Sequence, residues 1–306
     1  MTTEVNNAAH PGLTNQESAR VFVQLARMLA SNTTECLHRA KECLVRAMTL
    51  DPDNHHANND LGLLLASHET IFIAGKVWTA QSLFIAAVHL CPEDAAGFLN
   101  LSGTLESRHG TVTLQGGRVL TQVDLLAEAI RLRPRYADAY NNLGLSLSME
   151  PGGSVVLHDG REMTATNLFV EAIKLRPDMG APHNNLAMEL KPQESVVLSD
   201  GTPMNAKTLL VRAISLEPQN GYFYSNLSDH TRSDEVVTLQ NGTTLTKRQI
   251  LRNAHRKMTE VRCFACGKHS APAFLKRCGA CRDAYYCNQK CQKKHWNTHR
   301  AQCCRY

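Results

Sequence analysis

Between Cys263 and Cys304 the chain reads CFAC, eleven residues, CGAC, five residues, CNQKC, seven residues, then HRAQCC. Thiolate sulfur and imidazole nitrogen are the donors that Zn²⁺ takes in a closed tetrahedron, and a Cys-x-x-Cys step delivers two of them from one tight turn. Four pairs of donors make two such sites, so the segment is expected to hold two Zn²⁺ ions. Eight of the chain's eleven cysteines lie here, leaving only Cys36, Cys43 and Cys91 outside. Inside a cell, such crowding points to metal rather than to disulfides. About forty-five residues are too few for an apolar core, so metal binding must supply much of the segment's folding energy. Protein donors fill every coordination position, which leaves none open for catalysis.

Spacing alone does not choose every ligand. Cys287, Cys291, His295, His299 and Cys303 recur at intervals of four and would share one face of a helix, so His295 and His299 compete, while Cys304 is a spare thiol. At these positions the run resembles the MYND zinc finger, whose chain visits two zincs alternately. The resemblance implies that Cys263, Cys266, Cys287 and Cys291 hold one ion and that Cys278, Cys281, His299 and Cys303 hold the other. It extends to Tyr286, Gln292 and Trp296 and departs at Asn288, where the family usually has serine. RING fingers share the alternating scheme but not the spacing. The resemblance further implies binding of short proline-rich peptides, with Gln292 and Trp296 at the ligand, since an aromatic face suits a preformed polyproline helix. Packing of the small finger is the alternative role for Trp296.

Charge divides the chain at the same place. Residues 262–306 carry ten Lys or Arg and one acid, Asp283, a net +9; the other 261 residues carry 23 bases and 27 acids, a net −4. Seven thiolates against two Zn²⁺ lower the tail's charge by 3, to near +6. Lys290, Lys293 and Lys294 form a basic patch, but no interleaved aromatics suggest base stacking, so nucleic acid is not an expected partner.

Upstream of this segment the sequence repeats itself. Pro52, Pro92, Pro134, Pro177 and Pro218 stand 40, 42, 43 and 41 residues apart. An alanine precedes each by five residues (Ala47, Ala87, Ala129, Ala172, Ala213), and a large apolar residue precedes each alanine by three (Leu44, Phe84, Leu126, Phe169, Leu210). This spacing predicts one buried face of a helix that proline terminates. A second series supplies an earlier helix in each unit: Asp60-Leu61-Gly62, Asn100-Leu101-Ser102, Asn142-Leu143-Gly144, Asn185-Leu186-Ala187 and Asn226-Leu227-Ser228. Its small residue is expected where helix backbones touch.

These positions resemble the tetratricopeptide repeat: Tyr140, Leu143, Gly144, Leu147, Ala165, Phe169, Ala172 and Pro177 follow that family's order of residue types. The family's unit is about 34 residues, and the surplus here falls between the two helices. There the chain writes VTLQGGRVLT, VVLHDGREMT, VVLSDGTPMN and VTLQNGTTLT, with HETIFIAGKVWT as a degenerate first copy. Asp159-Gly160, Asp200-Gly201, Gly116-Gly117 and Asn241-Gly242 predict type I′ hairpin turns with both central residues at positive φ. Thr121, Thr164, Asn205 and Thr246 then arrive as N-caps, with Gln249 closing a capping box on Thr246. Single hairpins are marginal, so neighbours are expected to lean on one another. The hairpins either lengthen a turn and cover an edge, or form a rim that meets a partner.

The expected fold is therefore mainly α: an α-α superhelical, tetratricopeptide-like solenoid with a β-hairpin inside each repeat, followed by a small cross-braced two-zinc finger. The expected domains are a disordered tail at 1–15, helical repeats at 16–258 with an atypical first pair, and the finger at 263–304. In the resembled family the first helix of each pair lines a concave, peptide-binding face. Asp60, Asn100, Asn142, Asn185 and Asn226 form a ladder there, which either holds a peptide backbone by its amides or bonds within the repeat. The basic clamp that some members use for acidic tails has no counterpart, since Asn59, Leu99, Asn141, Asn184 and Ser225 precede the ladder. The expected function is a non-enzymatic adaptor that binds other proteins. The alternatives are a ubiquitin-ligase-like adaptor or a relative of MYND-bearing lysine methyltransferases, although no SET domain fits the remaining residues. No leader-like opening and no run of roughly eighteen apolar residues occurs, so an intracellular place, cytoplasmic or nuclear, is expected without a membrane span.

Overall fold

Proline sets the helix ends. The helices Thr34–Leu50 (α2), Ala80–Leu90 (α4), Gln122–Leu132 (α6), Ala165–Leu175 (α8) and Ala206–Leu216 (α10) each stop two residues before their proline. The N–H of the residue between, in Asp51, Cys91, Arg133, Arg176 and Glu217, makes the last bond, to Ala47, Ala87, Ala129, Ala172 and Ala213 respectively, at 2.9–3.0 Å. Those alanines are at most 2% exposed. At that burial, added bulk must displace packed neighbours.

The computed structural model describes residues 13–29, 34–149, 152–198 and 201–259, with the backbone of 261–262, 269–270, 276–277 and 285–286. Most of the tail expected at 1–15 lies outside the described residues, and α1 (Asn15–Leu29) begins within its last residue, capped by Thr14, whose hydroxyl accepts from Glu17 N at 3.2 Å. The chain divides into two compact units, residues 1–168 and 169–306.

In the first unit α1 packs on α2, α3 (His55–Leu64) on α4, and α5 (Ala95–Ser102) on α6, while α2, α4 and α6 each also meet the next first helix, the last being α7 (Ala137–Ser148). In the second unit α9 (Gly180–Glu189) packs on α10 and α11 (Gly221–Asp229) on α12 (Lys247–Thr259), with α10 also against α11. Leu61, Leu101, Leu143, Leu186 and Leu227, the central residues of the second series, are fully buried. The small residue after each leucine answers to the helix beside it. A Cβ on Gly62 would come within 2.6 Å of the Phe84 ring, so what glycine admits here is a side chain rather than a backbone. Where the second helix carries Leu126, Leu210 or Leu251 instead of phenylalanine, the small position is Ser102, Ala187 or Ser228.

Among the described residues five hairpins are inserted between helices: β1–β2 (Thr70–Ile73, Lys76–Thr79), β3–β4 (Thr111–Thr113, Val119–Thr121), β5–β6 (Ser154–Val156, Glu162–Thr164), β7–β8 (Ser195–Val197, Pro203–Asn205) and β9–β10 (Val236–Thr238, Thr244–Thr246). The two-residue loop expected at the four dipeptides occurs instead only in the degenerate copy, where Ala74 and Gly75 take φ of 49° and 80°. In the others one more residue enters the loop. Gly160 N donates to Leu157 O and Leu157 N to Arg161 O, both at 2.9 Å, and Leu114, Leu198 and Leu239 repeat the pattern. This is a three-residue loop ending in a glycine bulge, and in the β5–β6 and β9–β10 turns only the glycine has positive φ. The Asp or Asn before it is there for its side chain: Asp159 Oδ1 accepts from Arg161 N at 3.1 Å and Asn241 Oδ1 from Thr243 N at 3.0 Å.

The caps are as expected. Thr121, Thr164, Asn205 and Thr246 accept from N–H groups of the following helix, and Gln249 Oε1 takes the Thr246 N–H at 2.8 Å. The expectation that hairpins lean on one another gives way to a different support. Each forms its own two-stranded sheet, and β2, β4, β8 and β10 pack on the helix that follows. Ion pairs add a tie to the second helix of the preceding pair: Lys41 of α2 binds Glu69, with the shortest approach 2.5 Å, and Lys207 of α10 binds Glu235. The lysine bonds come first among the causes that lower both carboxyl pKa values. A lowered carboxylate stabilises the fold above its unfolded pKa, and that contribution disappears as pH falls through the folded value.

Two outcomes follow. Gly62→Ala gains up to about 1 kcal/mol of helix propensity but must displace the ring, at roughly 1–3 kcal/mol. Equilibrium unfolding is expected to show net destabilisation that shrinks in a Phe84→Leu background. The double variant Glu69→Gln, Glu235→Gln is expected to lose stability at neutral pH and to show a flatter acid limb, measured by unfolding between neutral and strongly acidic pH.

Candidate functional site

The first helix of each pair presents one face to solvent, set by residues three and four apart. It carries the asparagine ladder, and each ladder asparagine is half-buried. Asn100 Nδ2 donates to Asn59 Oδ1 at 2.8 Å, joining α5 to α3. Asn226 Nδ2 donates to Asn184 Oδ1 at the same distance, joining α11 to α9. Asn142 and Asn185 each accept at Oδ1 from the preceding asparagine, Asn141 and Asn184, at 3.2 Å. Asn59, Asn141 and Asn184, which precede ladder positions, are thus its internal partners, and bonding within or between repeats occupies one end of each ladder amide. Among the described residues the Asn100 carbonyl oxygen and the Asn142 amide nitrogen have no hydrogen-bond partner.

Three residues beyond the ladder the sequence holds apolar side chains that it did not flag as functional. Leu63 is 58% exposed, Leu145 44% and, in the second unit, Met188 49%. In the first unit a groove of about 870 Å³ runs over this face, lined by Leu63, Asn100, Gly103, Asp138 and Asn142 among others. Asn142 also borders a second hollow of about 470 Å³ with Leu145 and Met149. Apolar contacts with a few convergent amides suit an extended polypeptide, which offers alternating backbone donors and acceptors.

The hairpins have a second exposed surface. Val112, Leu120, Met163, Val237 and Leu245 face the helices and are buried, while Phe72, Val119, Val156, Val197 and Val236 point outward and are exposed. At the start of α3 the half-buried His55 lies against exposed His56, ring centroids 4.0 Å apart. Burial first, and the neighbouring His56 second, hold the His55 pKa below that of ordinary histidine.

The expected zinc ligands Cys263, Cys266, Cys278, Cys281, Cys287, Cys291, His299 and Cys303 lie outside the described residues, as do Gln292, His295, Trp296 and Cys304. What is described there is backbone pairing. The strand β11 (Val261–Arg262) pairs antiparallel with β12 (His269–Ser270), and β13 (Lys276–Arg277) with β14 (Tyr285–Tyr286). Each Cys-x-x-Cys falls in the chain joining a pair, and β11 also lies against β14.

The family model of the MYND finger matches residues 263–303. That segment is a MYND-type zinc finger. A MYND finger binds zinc, and the match runs from Cys263 to Cys303, leaving Cys304 beyond it. The helical part is tetratricopeptide-like in its paired helices, buried alanines and terminal prolines. Solved structures similar to this chain include MamA, at 18% identity over 66% of this chain and 93% of that one, with a TM-score of 0.40. A thermophilic tetratricopeptide protein of Thermus thermophilus gives 17% identity, 71% and 98% coverage and a TM-score of 0.42. YrrB, a tetratricopeptide protein with an unusual peptide-binding site, gives 18% identity, 70% and 89% coverage and a TM-score of 0.38. Among the described residues no helix is long and apolar enough to cross a membrane.

A double-mutant cycle on Asn59→Ala and Asn100→Ala is expected to show a coupling of about 0.5–1.5 kcal/mol, one net hydrogen bond. Additive effects in urea unfolding would assign the ladder to ligand contact alone.

Proposed function

We propose that the chain is a non-enzymatic adaptor that holds an extended peptide of one protein on its helical repeats (16–258) and a proline-rich peptide of another on its finger (263–304), in the cytoplasm or nucleus. The observation that carries the first half is the groove of the amino-terminal unit. There the Asn100 carbonyl and the Asn142 amide stand on successive helices beside Leu63 and Leu145, an acceptor and a donor next to apolar contacts. A peptide backbone can satisfy both while its side chains cover the leucines. Asn185 and Asn226 extend the same kind of face in the second unit.

The finger's donor set fits zinc: seven thiols and an imidazole, with no hard oxygen ligand required. Two ions are proposed, one held by Cys263, Cys266, Cys287 and Cys291 and the other by Cys278, Cys281, His299 and Cys303. The contact of β11, which leads into Cys263, with β14, which leads into Cys287, supports that alternation. The metal's contribution is structural, replacing an apolar core. Gln292 and Trp296 are the residues proposed to meet the proline-rich ligand.

Peptides selected from a random displayed library on the zinc-loaded full chain should fall into two sets. One weakens about 2–10-fold with Asn142→Ala, the loss of one hydrogen bond. The other is proline-rich, is lost with Trp296→Ala and is indifferent to Asn142. A selection in which neither variant weakens any peptide contradicts the adaptor. Cadmium-113 NMR of the substituted chain should give two finger resonances, one from an all-sulfur site and one from a site with nitrogen. A single resonance contradicts the two-site assignment.

A further inference from the structure

The first residue of α5, α7, α9 and α11 is Ala95, Ala137, Gly180 or Gly221, all buried. At the same place α3 begins with His55, followed by His56. A bulky imidazole thus replaces a small packing residue in one helix only. Asp94, which lies at the start of α5 in the next pair, comes to meet it. One ligand atom from each of His55, His56 and Asp94 lies within 4.8 Å of the other two. The Asp94 Oδ1 accepts from Ala96 N at 3.1 Å and stands 4.0 Å from an Arg133 nitrogen, and among the described residues the second carboxylate oxygen has no partner.

We infer that His55, His56 and Asp94 form a site for one divalent transition-metal ion of the zinc class, bridging two successive helix pairs and separate from the finger. Two imidazoles and a carboxylate are borderline donors suited to Zn²⁺ or Co²⁺. Tetrahedral ligation at about 2.0–2.2 Å brings donors to roughly 3.4 Å apart, so the three groups must close by about an ångström. His56 is exposed and its ring can turn to do this. Three protein ligands leave the fourth position to water or to a side chain of a bound partner. Because α3 and α5 also line the groove, an ion here pins the two helices that carry Leu63 and Asn100.

The test uses the full chain with its finger loaded with zinc, to which Co²⁺ is added. One further equivalent is expected to bind with ligand-field absorption and no thiolate charge-transfer band, which separates it from cobalt in the finger. His56→Gln, at an exposed position, and Asp94→Asn, which keeps an equally good helix cap, should each weaken it roughly tenfold or more. His38→Gln, on another surface, should leave it unchanged. No added equivalent, or one that persists in His56→Gln and Asp94→Asn, overturns the site.

Discussion

A helix of eight to seventeen residues gains little stability alone in water, and every helix among the described residues falls within that span. Their stability therefore comes from contact, and the contact depends on keeping one position small wherever a neighbour must come close. The alanines of the second helices and the glycine, serine or alanine of the first helices meet that requirement. Phe84 over Gly62 shows how tightly the sizes are matched, since a single methyl group has no room. Repeating this contact builds a core one layer at a time, and it leaves the opposite face of each first helix uncovered.

The hairpins respond to the same constraint from outside. An isolated two-stranded hairpin does not hold its shape, and these lie on helices through Val112, Leu120, Met163, Val237 and Leu245. Glu69 and Glu235 fasten two of them to the second helix of the preceding pair. Arg161 fastens a third by donating to the hydroxyl of Tyr140, a side chain only 1% exposed. The hairpins are parts of the helical layers rather than decorations, although their outer valines leave an apolar edge in water.

Periodicity made the helices, their ends and their caps legible, because each depends on residues within one turn or on a proline. The turn type was less so. Asp-Gly serves both a two-residue loop with two positive φ values and a three-residue loop with one. The distinction lay in the leucine that precedes each turn, Leu114, Leu157, Leu198 and Leu239, which closes the loop rather than joining the strand. The ladder's double use was ambiguous for a similar reason: asparagine serves a neighbour or a ligand equally well, and only the geometry shows that Asn59 and Asn184 take one end. The His55, His56 and Asp94 cluster was illegible because its third member comes from the next repeat.

The finger obeys the general constraint by other means. With too few residues to bury an apolar layer, it relies on bound zinc, so its stability and that of the repeats come from different sources. Hydrogen–deuterium exchange on the full chain, with and without a strong zinc chelator, tests this most directly. Chelation is expected to strip protection from the amides of residues 263–303 while the buried helices between 34 and 257 keep theirs. Unchanged protection in the finger, or loss throughout the helices, would contradict a metal-held module joined to a self-supporting array of helix pairs.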